Sequence, residues 1–151
     1  MLRPLNQLKI FERKLLKEIT ELNGSCLCGE VKFEIDGKLE SFYLCHCGWC
    51  QKDTGSAHSA NLFFSKAHLR WITGKERVTN YQLPETEHYK SFCSICGSAL
   101  PNLQMNGKVV VVPAGCIRNV PIEPTAHIFM SKRANWDNGL EKIKMYDEVP
   151  E

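Results

Sequence analysis

The stretch Cys45-His46-Cys47-Gly48-Trp49-Cys50 places three thiols within six residues, close enough for one turn to aim all of them at a single ion. Thiolates at that density favour a soft or borderline metal such as zinc over magnesium or calcium. Three protein ligands are one short of a closed tetrahedral site, and an open fourth position separates catalytic from structural zinc. Outward from this cluster, Cys26-Leu27-Cys28 and Cys93-Ser94-Ile95-Cys96 supply four further thiols, enough to close a site by themselves. The ligand count therefore predicts two zinc ions per chain. Cys26, Cys28, Cys93 and Cys96 would hold a structural zinc, and Cys45, Cys47 and Cys50 a catalytic one. Cys116, the remaining cysteine, has two readings: a buried, inert thiol, or a fourth ligand that closes the central site.

A disulfide scaffold is the competing explanation of eight cysteines. Such scaffolds belong mainly to short secreted chains. The segment Met1 to Leu22 carries Arg3, Lys9, Glu12, Arg13, Lys14, Lys17, Glu18 and Glu21, which leaves no uninterrupted apolar core for a secretory signal. The Cys26/Cys28 and Cys45/Cys47 spacings also suit convergent metal ligation better than unstrained disulfides. A reducing, cytoplasmic setting is expected on the same grounds. At 151 residues, with 43% hydrophobic and 24% charged residues, a single soluble globular unit is expected. The net charge of +2 is too small to argue for nucleic acid as a partner, and no apolar run approaches the length of a bilayer span.

Around the cysteines the pattern is one of short strands. Leu5, Leu8, Phe11, Leu15, Ile19 and Leu22 recur at helical spacing and predict an N-terminal amphipathic helix stopping at Asn23-Gly24, although Lys17 to Leu22 can also be read as a strand. Gly24 and Gly29 on either side of the first ligand loop allow positive φ, so that N–H groups can point at the sulfurs, and Gly97 removes the side chain that would block the second turn. Val31 to Asp36 alternates as a half-buried strand that Gly37 ends, and Phe42 to Leu44 forms another. Thr54-Gly55-Ser56 reads as a turn. Ala57 to Phe64, Leu69 to Ile72, Val78 to Leu83, His88 to Phe92 and Thr125 to Met130 follow as strands, and the valine-rich Lys108 to Val112 is the candidate central one. After Trp136 the chain is charged and irregular. The fold class expected is mostly β with one added N-terminal helix.

These motifs resemble a known family. Gly24-Ser25-Cys26-x-Cys28-Gly29-x-Val31-x-Phe33, Cys45-His46-Cys47-x-x-Cys50-Gln51-Lys52-x-Thr54-Gly55-Ser56, Phe92-Cys93-x-x-Cys96-Gly97-Ser98 and His127-Ile128-Phe129 with Trp136 are similar to the signatures of the glutathione-dependent formaldehyde-activating enzymes, also called the centromere protein V family. The resemblance covers about residues 24 to 140. It implies an Mss4-like arrangement of folded sheets held by zinc, preceded by a helical extension over residues 1–23 and followed by a tail over 141–151. It also implies a carbon–sulfur lyase-type activity on glutathione–aldehyde adducts, with the three-cysteine zinc linked to the condensation of glutathione with formaldehyde. Where the family tends to have a small residue and then an acidic one, this chain has Cys116-Ile117-Arg118.

Several other residues have both a functional and a structural reading. His46 lies inside the ligand turn, but its neighbours point inward, so its ring is expected to point away. His58 and His127 fall in strand-like runs and read as hydrogen-bonded structural residues rather than bases. Lys52, Lys132 and Arg133 can receive the carboxylates of glutathione or simply be solvated. Trp49 and Trp136 can wall the open zinc position or fill the core. The alternative to an enzyme is a non-catalytic, zinc-stabilised thiol carrier or protein-interaction module.

Overall fold

The computed structural model describes residues 19–150 of the chain. It is a mostly β structure of two sheets. The larger contains β1 (Thr20–Ser25), β2 (Lys32–Cys45), β3 (Ser59–Thr73), β8 (Val109–Pro113) and β7 (Asn102–Gln104), in that spatial order, with β9 (Ala126–Ile128) added beside β2. The smaller is formed by β4 (Val78–Gln82), β5 (Tyr89–Cys93) and β6 (Ala99–Leu100). One helix, α1 (Gly48–Thr54), follows the central cysteine turn.

Most of the helix expected over residues 1–23 lies outside the described residues. Its last turn does not form: Thr20 to Ser25 pair antiparallel with Lys32 to Gly37, so the strand reading of that stretch holds from Thr20 onward. Asn23-Gly24 therefore continues a strand instead of stopping a helix, and Leu22 packs against the core beside it.

Two strands are longer than the sequence pattern suggests. The two segments read as Val31–Asp36 and Phe42–Leu44 are one strand of 14 residues, and those read as Ala57–Phe64 and Leu69–Ile72 are one strand of 15. Gly37 does not end β2. It lies where β2 passes so near β3 that a Cβ would come within 2.6 Å of the Ala67 Cβ, so the absence of a side chain lets the strand run on. Register shifts at Asp36/Lys38 and Leu39/Ser41 interrupt the alternation, which is why one strand reads as two. They also change which residues face the core. Phe33 and Ile35 point into it before the shifts, Phe42 after them. Tyr43 and Cys45 are thereby turned to the opposite face, a known use of bulges beside functional sites.

Phe33, Ile35, Leu62, Phe64, Val110, Val112 and Leu100 make up the centre of the core. The valine run is central, as expected: β8 pairs with β3 on one side and β7 on the other. Its continuous apolar character has a cause, since Val110 and Val112 enter the core while Val111, also buried, lines a cavity on the other face. Buried Pro101 marks the corner where the chain leaves the smaller sheet at β6 and joins the larger at β7.

Gly37→Ala should cost about 1–3 kcal/mol, the usual range for overpacking a tight site. Urea unfolding followed by tryptophan fluorescence measures it, and an unchanged midpoint would contradict the close approach of β2 and β3 at this position.

Candidate metal centres and the adjoining cavity

The structure brings seven of the eight cysteines into the two groups that their spacing suggests. The sulfurs of Cys26, Cys28, Cys93 and Cys96 all lie within 4.8 Å of one another, as do those of Cys45, Cys47 and Cys50. The donor chemistry fits a thiophilic metal in both.

In the four-cysteine group, Cys26 and Cys28 come from the turn between β1 and β2, Cys93 from the end of β5, and Cys96 from the turn into β6. The group thus ties the larger sheet to the smaller. Sulfur separations are 3.5 Å for Cys26–Cys28 and 3.9 Å for Cys28–Cys93. The Val31 amide donates to Cys26 Sγ at 3.3 Å; Gly29 takes the positive φ expected of it, whereas Gly24, on the other side of the loop, is part of β1 and does not. Crowding splits the thiols. The Ser98 amide, then that of Cys28, holds Cys96 down to about 6. The Glu30 amide favours the Cys28 thiolate, but desolvation and three neighbouring sulfurs outweigh it and push that thiol up to about 12. So many thiolates in one place need a cation to balance them.

The three-cysteine group is assembled at one end of β2. Cys45 closes that strand between Ser59 of β3 and Ile128 of β9. Cys47 is the N-cap of α1, where its sulfur accepts the Cys50 amide at 3.4 Å. Burial pushes the Cys47 thiol up, but the amide of Cys50 and the two flanking sulfurs outweigh it and hold the group below the ordinary thiol range. Burial raises Cys45 and, more strongly, Cys50, although Ser59 offers the latter a hydrogen bond. Among the described residues, no fourth His, Cys, Asp or Glu joins this trio.

Cys116 belongs to neither group. Its thiol donates to the Ala99 carbonyl at 2.7 Å, and burial, with the nearby Cys26 charge, pushes it up to about 12. Of its two readings, the inert thiol is the one the structure favours.

The ring of His46 points away from the sulfurs, as expected, into a polar cluster. It is 2% exposed, with Nε2 2.8 Å from His127 Nδ1. Its Nδ1 is 3.0 Å from Asp137 Oδ2, but the N–H direction misses the oxygen, so this is a charge contact and not a formed hydrogen bond. Burial lowers the His46 pKa, and Asp137 opposes that shift. The His58 ring packs against His46 at a tilt of 57°, with 5.0 Å between centroids, and lies 3.2 Å from the Ser59 carbonyl through Nδ1. His58 and His127 are thus structural partners, as read. Gln51, one turn into α1, completes the clasp by donating to the His46 carbonyl at 2.7 Å and the Lys132 carbonyl at 2.9 Å.

Cys45 and Cys50 open onto a cavity of about 200 Å³ between the two sheets. Its floor is the face of the larger sheet that carries Tyr43, Ser59, Asn61, Phe63 and Val111, and β5 contributes Tyr89 and Ser91. Asp53 of α1 binds Lys90 and sits 3.4 Å from His88 Nε2, pinning the helix to β5 at the cavity's edge. This latch was not foreseen, because its partners are 35 and more positions apart and each looks like ordinary surface charge. Trp49 and Trp136 do not fill the core, being 49% and 57% exposed. Lys132, Arg133 and Trp136 do not line this cavity, whereas Trp49 and Lys52 line a second recess beside it.

With the geometry in hand, the comparisons are decisive. The family profile described as glutathione-dependent formaldehyde-activating enzyme matches residues 21–132, most of the chain. The chain belongs to that family. It is 29% identical over 126 residues, covering 76% of this chain and 78% of the relative, to a Halomonas elongata protein described as "Putative glutathione-dependent formaldehyde-activating enzyme". A Rhodobacter sphaeroides protein of known crystal structure is 26% identical, with 66% of this chain and 90% of that one covered and a TM-score of 0.49. No helix among the described residues is long and apolar enough to cross a membrane.

Replacing Gln51 by Ala leaves two backbone carbonyls without their donor, which should cost about 1 kcal/mol of stability. The same variant should exchange the amides of Ala126–Ile128 faster in hydrogen–deuterium exchange. Unchanged exchange there would show that the clasp does not hold β9 in place.

Proposed function

We propose that the four-cysteine group holds a structural zinc, and that the three-cysteine group holds a catalytic zinc serving the reversible addition of glutathione to formaldehyde. The reading makes the protein a carbon–sulfur lyase of the S-hydroxymethylglutathione synthase type. The observation that carries it is the trio of sulfurs with no fourth protein donor among the described residues, facing a cavity, in a chain of this family. When bound by three thiolates, zinc offers an exchangeable fourth position and lowers the pKa of a thiol placed there.

The rest of the work falls to the chain's own groups. In the forward direction the thiol sulfur bonds to the carbonyl carbon, the C=O π bond opens, and the thiol proton ends on the new hydroxyl oxygen. Cleavage is the reverse. Cys45, Cys47 and Cys50 supply three negative charges, which by formal count leave a divalent ion at −1. Such a centre is a poor activator of water and favours thiol chemistry over hydrolysis. Ser59 and Asn61 on the floor place polar groups beside the sulfurs, and Asn61 Nδ2 donates to Ser59 Oγ at 3.3 Å. The sheet walls exclude bulk water and hold the reactants together, which is where most of the acceleration would arise. All eight cysteines are free, consistent with a reducing, cytoplasmic setting.

Two substitutions separate the roles. Binding energy at a closed zinc site, about 10–16 kcal/mol in small metal-held domains, is also folding energy, so Cys93→Ser should unfold or aggregate the protein. Cys50→Ala should leave a folded chain that keeps one zinc but no longer binds glutathione by calorimetry. A stable, soluble Cys93→Ser protein would contradict the division. If the native protein binds glutathione without raising the rate of hydroxymethylglutathione formation above the spontaneous rate, it is a thiol carrier and not an enzyme.

A further inference from the structure

Helix α1 and the β4–β5 hairpin enclose a second recess of about 460 Å³. Its walls are Trp49 from the helix, Thr79 and Tyr81 from β4, Leu83 just beyond it, and Phe92 from β5. Rings and methyl groups dominate. Of the two lysines that line it, Lys90 is held by Asp53 and lies 5.5 Å from the centroid of the Phe92 ring, whereas exposed Lys52 places one charge beside the otherwise apolar walls. Trp49 and Tyr81 are nevertheless 49% and 48% exposed. Large aromatics left half-open around one recess mark a ligand site more often than idle surface.

Two features tie this recess to the cysteines. Asp53, His88 and Lys90 line both it and the cavity that Cys45 and Cys50 face, so the two spaces adjoin along this latch. Trp49 also sits within the ligand turn itself, between Cys47 and Cys50. The volume lies within the range of about 300–1,000 Å³ usual for small-molecule sites.

We propose that the recess receives an apolar, ring-sized substituent on the carbonyl component. The thiol adducts this protein handles then include those of aromatic or bulky aliphatic aldehydes. The inference rests on the thiol-addition reading above. The reaction balance is unchanged: a sulfur–carbon bond forms, the carbonyl π bond breaks, and the thiol proton passes to oxygen to give a hemithioacetal. Formaldehyde carries only hydrogen on its carbon and leaves the recess unused. A ring on that carbon would lie against Trp49, Tyr81 and Phe92 and gain the free energy of removing its apolar surface from water.

The test is calorimetry on the full metal-loaded chain with three probes: glutathione, S-methylglutathione and S-benzylglutathione. Glutathione reports on the thiol site, and the two thioethers differ only in the ring. S-benzylglutathione should bind at least tenfold more tightly than S-methylglutathione. Tyr81→Ala should shrink that ratio to less than threefold. Thr79→Phe, which fills the recess from an exposed position on β4, should do the same and guards against a Tyr81 variant that fails to fold. Thioether affinities within twofold of each other, no binding of either, or a preference that survives both variants would overturn the inference. If glutathione fails to bind while the ring preference stands, the thiol-addition reading falls and the recess remains a site for ring-bearing ligands.

Discussion

The electrostatic demand of crowded sulfur is the constraint on which this structure depends. Four cysteines converge from two turns that belong to different sheets, and their amide donors already hold some of them in the thiolate form. A site so rich in negative charge is unfavourable without a cation and strongly favourable with one. Because its two halves sit on the larger and the smaller sheet, what neutralises the charge also fixes the angle between the sheets. The cavity lies between those sheets, so its shape is inherited from the remote cluster.

The second cluster obeys the same chemistry with a different outcome. Here three sulfurs come from one strand end and the first turn of one helix, a local arrangement that no distant segment needs to complete. Distant segments instead secure the ring of the intervening His46, which is drawn out of the ligand sphere by His127 and Asp137. A histidine between two cysteine ligands would otherwise be an obvious fourth donor. The contact of Nε2 with His127 and the approach of Nδ1 to Asp137 turn the ring away from the three sulfurs.

The cysteine sets were legible in the sequence because metal ligation imposes short, discrete spacings. The valine run of β8 was legible because burial on both faces leaves no alternation to misread. What was hidden has physical reasons too. Helix α1 spans seven residues with no buried position, so it carries no apolar period and reads as a turn. Strands β6 and β7 are two and three residues long, below any useful window. The bulges in β2 invert the inside–outside pattern midway, so a continuous strand looks like two with Gly37 as a stop. The recess between Trp49 and Tyr81 joins surfaces thirty-odd positions apart, brought together by the pairing of β4 with β5 and by the Asp53 contacts that hold α1 against β5.

One edge of β2 is shared by two strands of very different origin. β1 reaches it through a tight local turn, whereas β9 docks in parallel, with Thr125 and Phe42 exchanging hydrogen bonds across 83 positions of chain. Loop-closure entropy makes the first pairing quick and the second slow, since a distant contact is rewarded only after a long loop has been closed. Order of assembly follows. The hairpins and their sulfur turns can form first, and the strand that steadies His46 arrives last. Until it does, that imidazole has neither of its partners and stands beside the three sulfurs as one more nitrogen donor, so the late docking of β9 decides which groups the central turn presents.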